Sequence, residues 1–145
     1  MPGMPFTDYF LAPDDVIAGA ALGDGGPVST ELPTVEAKGV DPVVNLGHLE
    51  AILTGRPYDV VVAQPRQGRP VGDVSGEQII VAVTDTLRDA LAAATPAALE
   101  GAGARLAATE ELAGADPAGV TDFLRRLAGL AGRADGWHLY CYWAL

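Results

Sequence analysis

Few side chains in this sequence are of the kinds that act as nucleophile, base or metal ligand, and their spacing limits what they can do. There are two histidines, His48 and His138, one cysteine, Cys141, and two serines, Ser29 and Ser75. His48 lies at the margin of a predicted helix's apolar stripe. It would serve as a general base or metal ligand with Glu50, Asp8 or Asp14 only if folding brought them together. Glu50 is two residues away, and residues two apart on a helix do not face each other. His138 introduces an apolar run and reads as a strand-end residue. Cys141 alternates with Tyr140 and Tyr142 and reads as a core thiol. Neither serine has the strand-turn-helix context of a nucleophile elbow. Gly23-Asp24-Gly25-Gly26 lacks the Lys-Ser/Thr ending of a phosphate loop, and Gly101-Ala102-Gly103 lies between helical residues. No catalytic residue, metal or cofactor is assigned on this basis.

The polar segment with most chemical content is Gln64-Pro65-Arg66-Gln67-Gly68-Arg69-Pro70-Val71-Gly72-Asp73. Guanidinium groups are planar donors suited to carboxylate or phosphate, and the whole connection from Gln64 to Gly76, about thirteen residues, is near the upper end for a structureless loop. Arg66, Arg69 and Asp73 are therefore candidate ligand-binding residues. His48 and Asn45 are candidates for the wall of the same cleft, because an amide within a helix's apolar stripe needs a partner.

Positioning falls to a chain of 145 residues, the length of a single domain spanning 1–145. Hydrophobic residues make up 49% and charged residues 19%, enough for a core without disulfides or metal. Nineteen acids against nine bases give a net charge of −10. That balance opposes binding to nucleic acid or to an anionic membrane, both of which need clustered Lys and Arg. The N-terminus has neither a basic nor an apolar signal region, and no run reaches the length of a membrane span. A single cysteine excludes an internal disulfide. A cytoplasmic protein is expected.

Phe6 to Leu11 reads as a strand, and Pro13-Asp14-Asp15 opens a helix to about Leu22, ended by Gly23-Asp24-Gly25-Gly26-Pro27. Residues 28–40 read as extended. Asp41-Pro42 and Gly55 bracket a helix with Leu46, Leu49, Ile52 and Leu53 on one face. Residues 59–63 read as a buried strand, 64–76 as a loop, and 79–83 as a second strand. Thr84, Thr95-Pro96 and Asp116-Pro117 each cap a following helix. The last helix buries Val120, Phe123, Leu124, Leu127 and Leu130. The aromatic run 137–145 reads as a central strand covered on both faces. The order predicts an α+β domain with a mixed β-sheet.

Four short stretches carry a resemblance. They are Tyr9-Phe10 before the Ala-Pro-Asp-Asp helix start, Leu53-Thr54-Gly55 at a helix end, Gly72-Asp73 followed by Gly76, and a closing strand after a long helix. Together these resemble the YfbM-like family of small bacterial proteins of unknown function, and the resemblance implies a fold rather than an activity. A Trp-His pair of that family is replaced by Leu46-Gly47, so no role for His48 carries over.

The function expected is a non-catalytic module for protein interaction, such as an immunity protein that covers a basic partner, because an acidic surface steers such a partner in. The alternative is a small-anion or small-molecule binder, or an unrecognised enzyme, working through the 64–76 loop. Homo-oligomerisation through the aromatic C-terminal strand is compatible with either.

Overall fold

A computed structural model describes residues 6–23, 27, 31–37, 39–75 and 78–144. Its strands are β1 (Phe6–Ala12), β2 (Thr34–Val35), β3 (Pro70–Ser75), β4 (Gln78–Ala82) and β5 (His138–Ala144). The helices are α1 (Asp15–Gly23), α2 (Val44–Thr54), α3 (Tyr58–Val62), α4 (Asp85–Ala93), α5 (Pro96–Ala107) and α6 (Pro117–Gly132), with a 3₁₀ turn at Glu110–Leu112. This is an α+β domain. Among the described residues no helix is long and apolar enough to cross a membrane.

The capping chemistry written in the sequence is what starts the helices. The side chains of Thr84, Thr95 and Asp116 accept from the backbone N–H groups of Leu87, Ala98 and Ala118, satisfying donors that the first helical turn leaves open. Asp41 performs the same service for α2, accepting from Val43 and Val44 N–H at 2.8 and 2.6 Å. Regular helix begins two residues beyond Pro42. Gly55 closes α2 in the left-handed conformation, φ 73°.

The sheet order is β2-β1-β5-β4-β3, and all four pairings are antiparallel rather than mixed. β5 is central, as its aromatic content suggests. Because it is hydrogen-bonded to β1 on one side and β4 on the other, it has no free edge. Self-association by pairing along this strand is therefore ruled out.

Alternation along the strands sorts the core into two layers. Phe10, Ala12, Ile80, Ala82 and Tyr140 pack under α1 with Ala18 and Ala21. Tyr9, Leu11, Val81, Val83, Leu139 and Cys141 pack in one cluster with the apolar faces of α2, α4, α5 and α6. The Tyr9 hydroxyl reaches through that layer to donate to Val40 O at 2.6 Å. Cys141 is fully buried there, and burial pushes its thiol well up; it is a core group.

Two segments depart from expectation. Residues 59–63 form helix α3 and not a strand. Only Val61 is buried, while Val60 is 52% exposed, a one-sided pattern that no central strand could satisfy. The expected loop 64–76 shortens to 63–69, because Pro70–Ser75 pair with β4 as an edge strand. Proline and glycine are tolerated at an edge where the ladder is one-sided. Gly72 (φ +74°) lies against Gly19 of α1 so closely that a Cβ on Gly19 would stand 2.9 Å from Gly72 Cα. The pair of glycines lets α1 rest directly on β3. Residues 24–26 of the expected helix terminator, and residues 28–30 and 38 of the expected extended stretch 28–40, lie outside the described residues, and within the rest of that stretch Thr34–Val35 form β2.

Candidate functional site

Polar side chains converge at one end of the sheet, where β1 and β4 finish, β5 starts, and both α1 and α4 leave. Ala12 pairs with His138, and Ala82 with Tyr140. Asp15, in the first turn of α1, accepts from the Tyr140 hydroxyl at 2.6 Å and from the Arg66 guanidinium at 3.2–3.3 Å. The guanidinium carbon sits 5.6 Å from the centre of the Tyr140 ring. The hydrogen bond from Tyr140, and after it the Arg66 charge, hold the Asp15 carboxyl below its ordinary range against the opposing effect of burial. Burial and the same hydrogen bond push the Tyr140 phenol up.

A carboxylate lowered in the folded state stabilises the fold above its unfolded value. That contribution is lost as pH falls below the ordinary value of 3.8 toward the lowered one. Asp15→Asn is therefore expected to flatten the acid side of a stability-versus-pH curve below about pH 4, measured by denaturant melts at stepped pH. An unchanged slope would place the acid sensitivity elsewhere.

Beside this triad, Asp85 lies 2.8 Å from His138 Nδ1 and 3.2 Å from Arg88. Arg88 also donates to Trp137 O at 2.8 Å. A carboxylate on Nδ1 assigns the proton to that nitrogen. The arrangement ties the start of β5 to the first turn of α4.

Behind it is a group that sequence reasoning considered only as a partner for His48. Glu50 is 1% exposed. Its carboxylate accepts from Thr84 Oγ1, from Thr86 Oγ1 at 2.7 Å and from Gln64 Nε2 at 2.7 Å. Both threonines sit at the N-terminal end of α4, so the carboxylate lies at the positive end of that helix dipole. No cation pairs with it among the described residues. Neutral donors and the dipole replace one, and α2, the 63–69 loop and α4 are fastened together at this point. Glu50 lies four residues after Leu46 and three before Leu53, on the buried side of α2; that position was its signal in the sequence.

The expected ligand residues are spread over several places. Arg66 is engaged with Asp15, and Arg69 is exposed along a groove between α1 and β3. Asp73 is in β3, with its side chain outside the described residues. Asn45 is 2% exposed, and its Oδ1 accepts from Asp41 N–H at 2.9 Å, an internal brace for the start of α2. His48 lines a different groove, between α2 and α5, with Arg56 and Arg105.

The outer side of α2 and α3 has a character of its own. The His48 ring stacks on Tyr58 with centroids 4.4 Å apart. Its Nε2 lies 3.5 Å from Glu111. Gly47 makes room for this, since a Cβ there would meet Tyr58 Cε2 at 2.9 Å. Partial burial and then the charges of Glu111, Asp41 and Asp59 push the Tyr58 phenol up. Three carboxylates from three segments thus act on one half-buried aromatic ring.

The chain matches no protein-family model, no curated protein and no solved structure.

Proposed function

We propose that this protein is a non-catalytic, cytoplasmic interaction module that binds a basic protein partner, in the manner of an immunity protein covering a cationic enzyme. The docking face is the surface that α2 and α3 build around Tyr58. Membership of the YfbM-like family belongs to the same proposal, supported by the Leu53-Thr54-Gly55 close of α2. The observation that carries the functional reading is the stack of His48 on Tyr58, with Glu111 3.5 Å from His48 Nε2 and Asp59 next to Tyr58 in the chain.

An aromatic face in a negative field is a receptor for guanidinium and ammonium groups, which it attracts through the ring quadrupole as well as through charge. Tyrosine is also enriched among the residues that carry binding energy at interfaces. Val60, 52% exposed, adds apolar area on α3. At a net charge of −10 the whole molecule adds long-range attraction for such a partner. Arg56 and Arg105 border the adjoining groove and set the limit of the acidic face on that side.

The test uses an arginine-rich peptide of about ten residues, roughly the reach of a single docking face, titrated calorimetrically at low salt. Reversing two charges with Asp59→Lys and Glu111→Lys together is expected to weaken binding roughly tenfold or more. The control, Glu31→Lys with Asp135→Lys, changes net charge by the same amount at carboxylates that do not act on Tyr58, and should weaken binding far less. Equal losses in the two double variants would reduce the effect to overall charge and remove the proposed face.

A further inference from the structure

The groove between α1 and β3 has a volume of about 530 Å³, within the range of small-molecule sites. One wall is α1, contributing Asp15, Val16 and Ala20; the other is the start of β3, contributing Arg69 and Pro70. At its floor Gly19 and Gly72 bring the two backbones into direct contact, so no side chain fills the space between the walls.

The two charges on the walls are not spent on each other. Asp15 turns Oδ1 toward Tyr140 and Arg66, while Oδ2 receives only Arg66 at 3.3 Å. Its side chain is 44% exposed, which leaves an accepting edge toward the groove. Arg69 forms no ion pair among the described residues. Its backbone is nevertheless fixed: Ala82 N–H donates to Arg69 O at 2.8 Å, and Gly68 N–H to Ala82 O at 3.1 Å. Val16 is 79% exposed, an apolar side chain on α1 that the described residues leave largely uncovered.

We propose that this groove binds a small aliphatic α-amino acid as its zwitterion, with the carboxylate on Arg69, the ammonium on Asp15 and the side chain against Val16 and Ala20. A simple anion would meet repulsion from Asp15, and from Asp14 next to it. A simple cation would meet Arg69, with Arg66 behind. A molecule carrying both charges a few bonds apart satisfies both walls at once, and the exposed apolar flank rewards a branched side chain over glycine. The site goes beyond the interaction surface proposed above and does not depend on it.

The experiment is an amide chemical-shift titration of the labelled protein with L-leucine, at constant ionic strength. Parallel titrations use its two half-molecules, 4-methylpentanoate, which lacks the ammonium, and isoamylamine, which lacks the carboxylate. Leucine is expected to give saturable shifts at Val16, Gly19, Ala20, Val71 and Gly72, and each half-molecule to bind at least about tenfold more weakly. Arg69→Gln, at an exposed side chain with no ion pair among the described residues, should bring leucine down to the level of the amine, and Val16→Trp should close the groove to all three. Unchanged thermal unfolding would certify both variants as folded. Absence of saturable shifts with leucine would overturn the proposal. So would a half-molecule that binds as tightly as leucine, or an Arg69→Gln variant that binds leucine unchanged.

Discussion

Glu50→Ala is expected to lower the melting temperature by about 10 °C, the largest effect of any single polar substitution in this fold. The alanine removes the acceptor shared by Thr84 Oγ1, Thr86 Oγ1 and Gln64 Nε2. Thr86 Oγ1 still has Gln64 Oε1 at 3.1 Å and Gln64 Nε2 still has Val61 O at 3.1 Å, so the buried Thr84 hydroxyl is the donor left stranded. Loss of three hydrogen bonds to a carboxylate and one stranded donor, offset by relief of the buried carboxylate, gives a net loss of about 3 kcal/mol. Glu50→Gln keeps one acceptor oxygen and the volume, and Gln64 can turn its own carbonyl toward the new amide. Its loss should be less than half as large, near 1 kcal/mol. Thermal unfolding followed by circular dichroism measures both. A tolerated alanine would mean that the carboxylate is an expendable passenger in the α2–α4 junction.

The second large effect concerns two glycines two residues apart on α5. On propensity alone, alanine at either one stabilises a helix by roughly 0.5–1 kcal/mol. At Gly101 nothing stands within 4 Å of the added carbon, so Gly101→Ala should realise that gain. At Gly103 the same carbon overlaps Thr121 Oγ1 and stands 3.0 Å from Thr121 Cα. The backbone of α6 cannot turn aside as a side chain can, so α5 and α6 must separate. Overpacking of this kind costs about 1–3 kcal/mol and exceeds the propensity gain. Gly103→Ala is therefore expected to destabilise while Gly101→Ala stabilises, a reversal of sign that denaturant melts resolve directly. Equal gains at both positions would contradict the close approach of the two helices.

These two glycines also mark what could be read from the letters and what could not. Local signals carried through. The caps at Thr84, Thr95 and Asp116, the terminator Gly55 and the aromatic density of residues 138–144 each reflect physics confined to a few neighbouring residues. Gly101 and Gly103 look alike locally, as interruptions of a helix, and only the crossing of α6 separates them. Residues 59–63 misled because a short run of valines has no periodicity to distinguish strand from helix. Burial of Val61 alone, on a five-residue helix held against α2, is a tertiary outcome. β3 was hidden by Pro70 and Gly72, residues that speak against a strand unless its position at the sheet edge is known.

The polar groups followed the same division. Arg66 attracted notice as one of two arginines on a loop, yet its partner Asp15 lies 51 positions away and Tyr140 a further 74 along the chain. His48 and Glu50 suggested a pair by closeness in sequence, and the helix sends them to different surroundings. His48 goes to Tyr58 and Glu111 at the surface. Glu50 goes inward to the cap of α4.

The most direct test of the interaction reading is the footprint of the arginine-rich peptide on the unmodified protein, followed by amide chemical shifts at low ionic strength. The predicted result is a contiguous set of shifts at His48, Tyr58, Asp59 and Glu111 that fades as salt is added. Shifts centred on the Asp15–Arg66 junction, or spread evenly over carboxylates such as Glu31, Glu100 and Asp135, would contradict it.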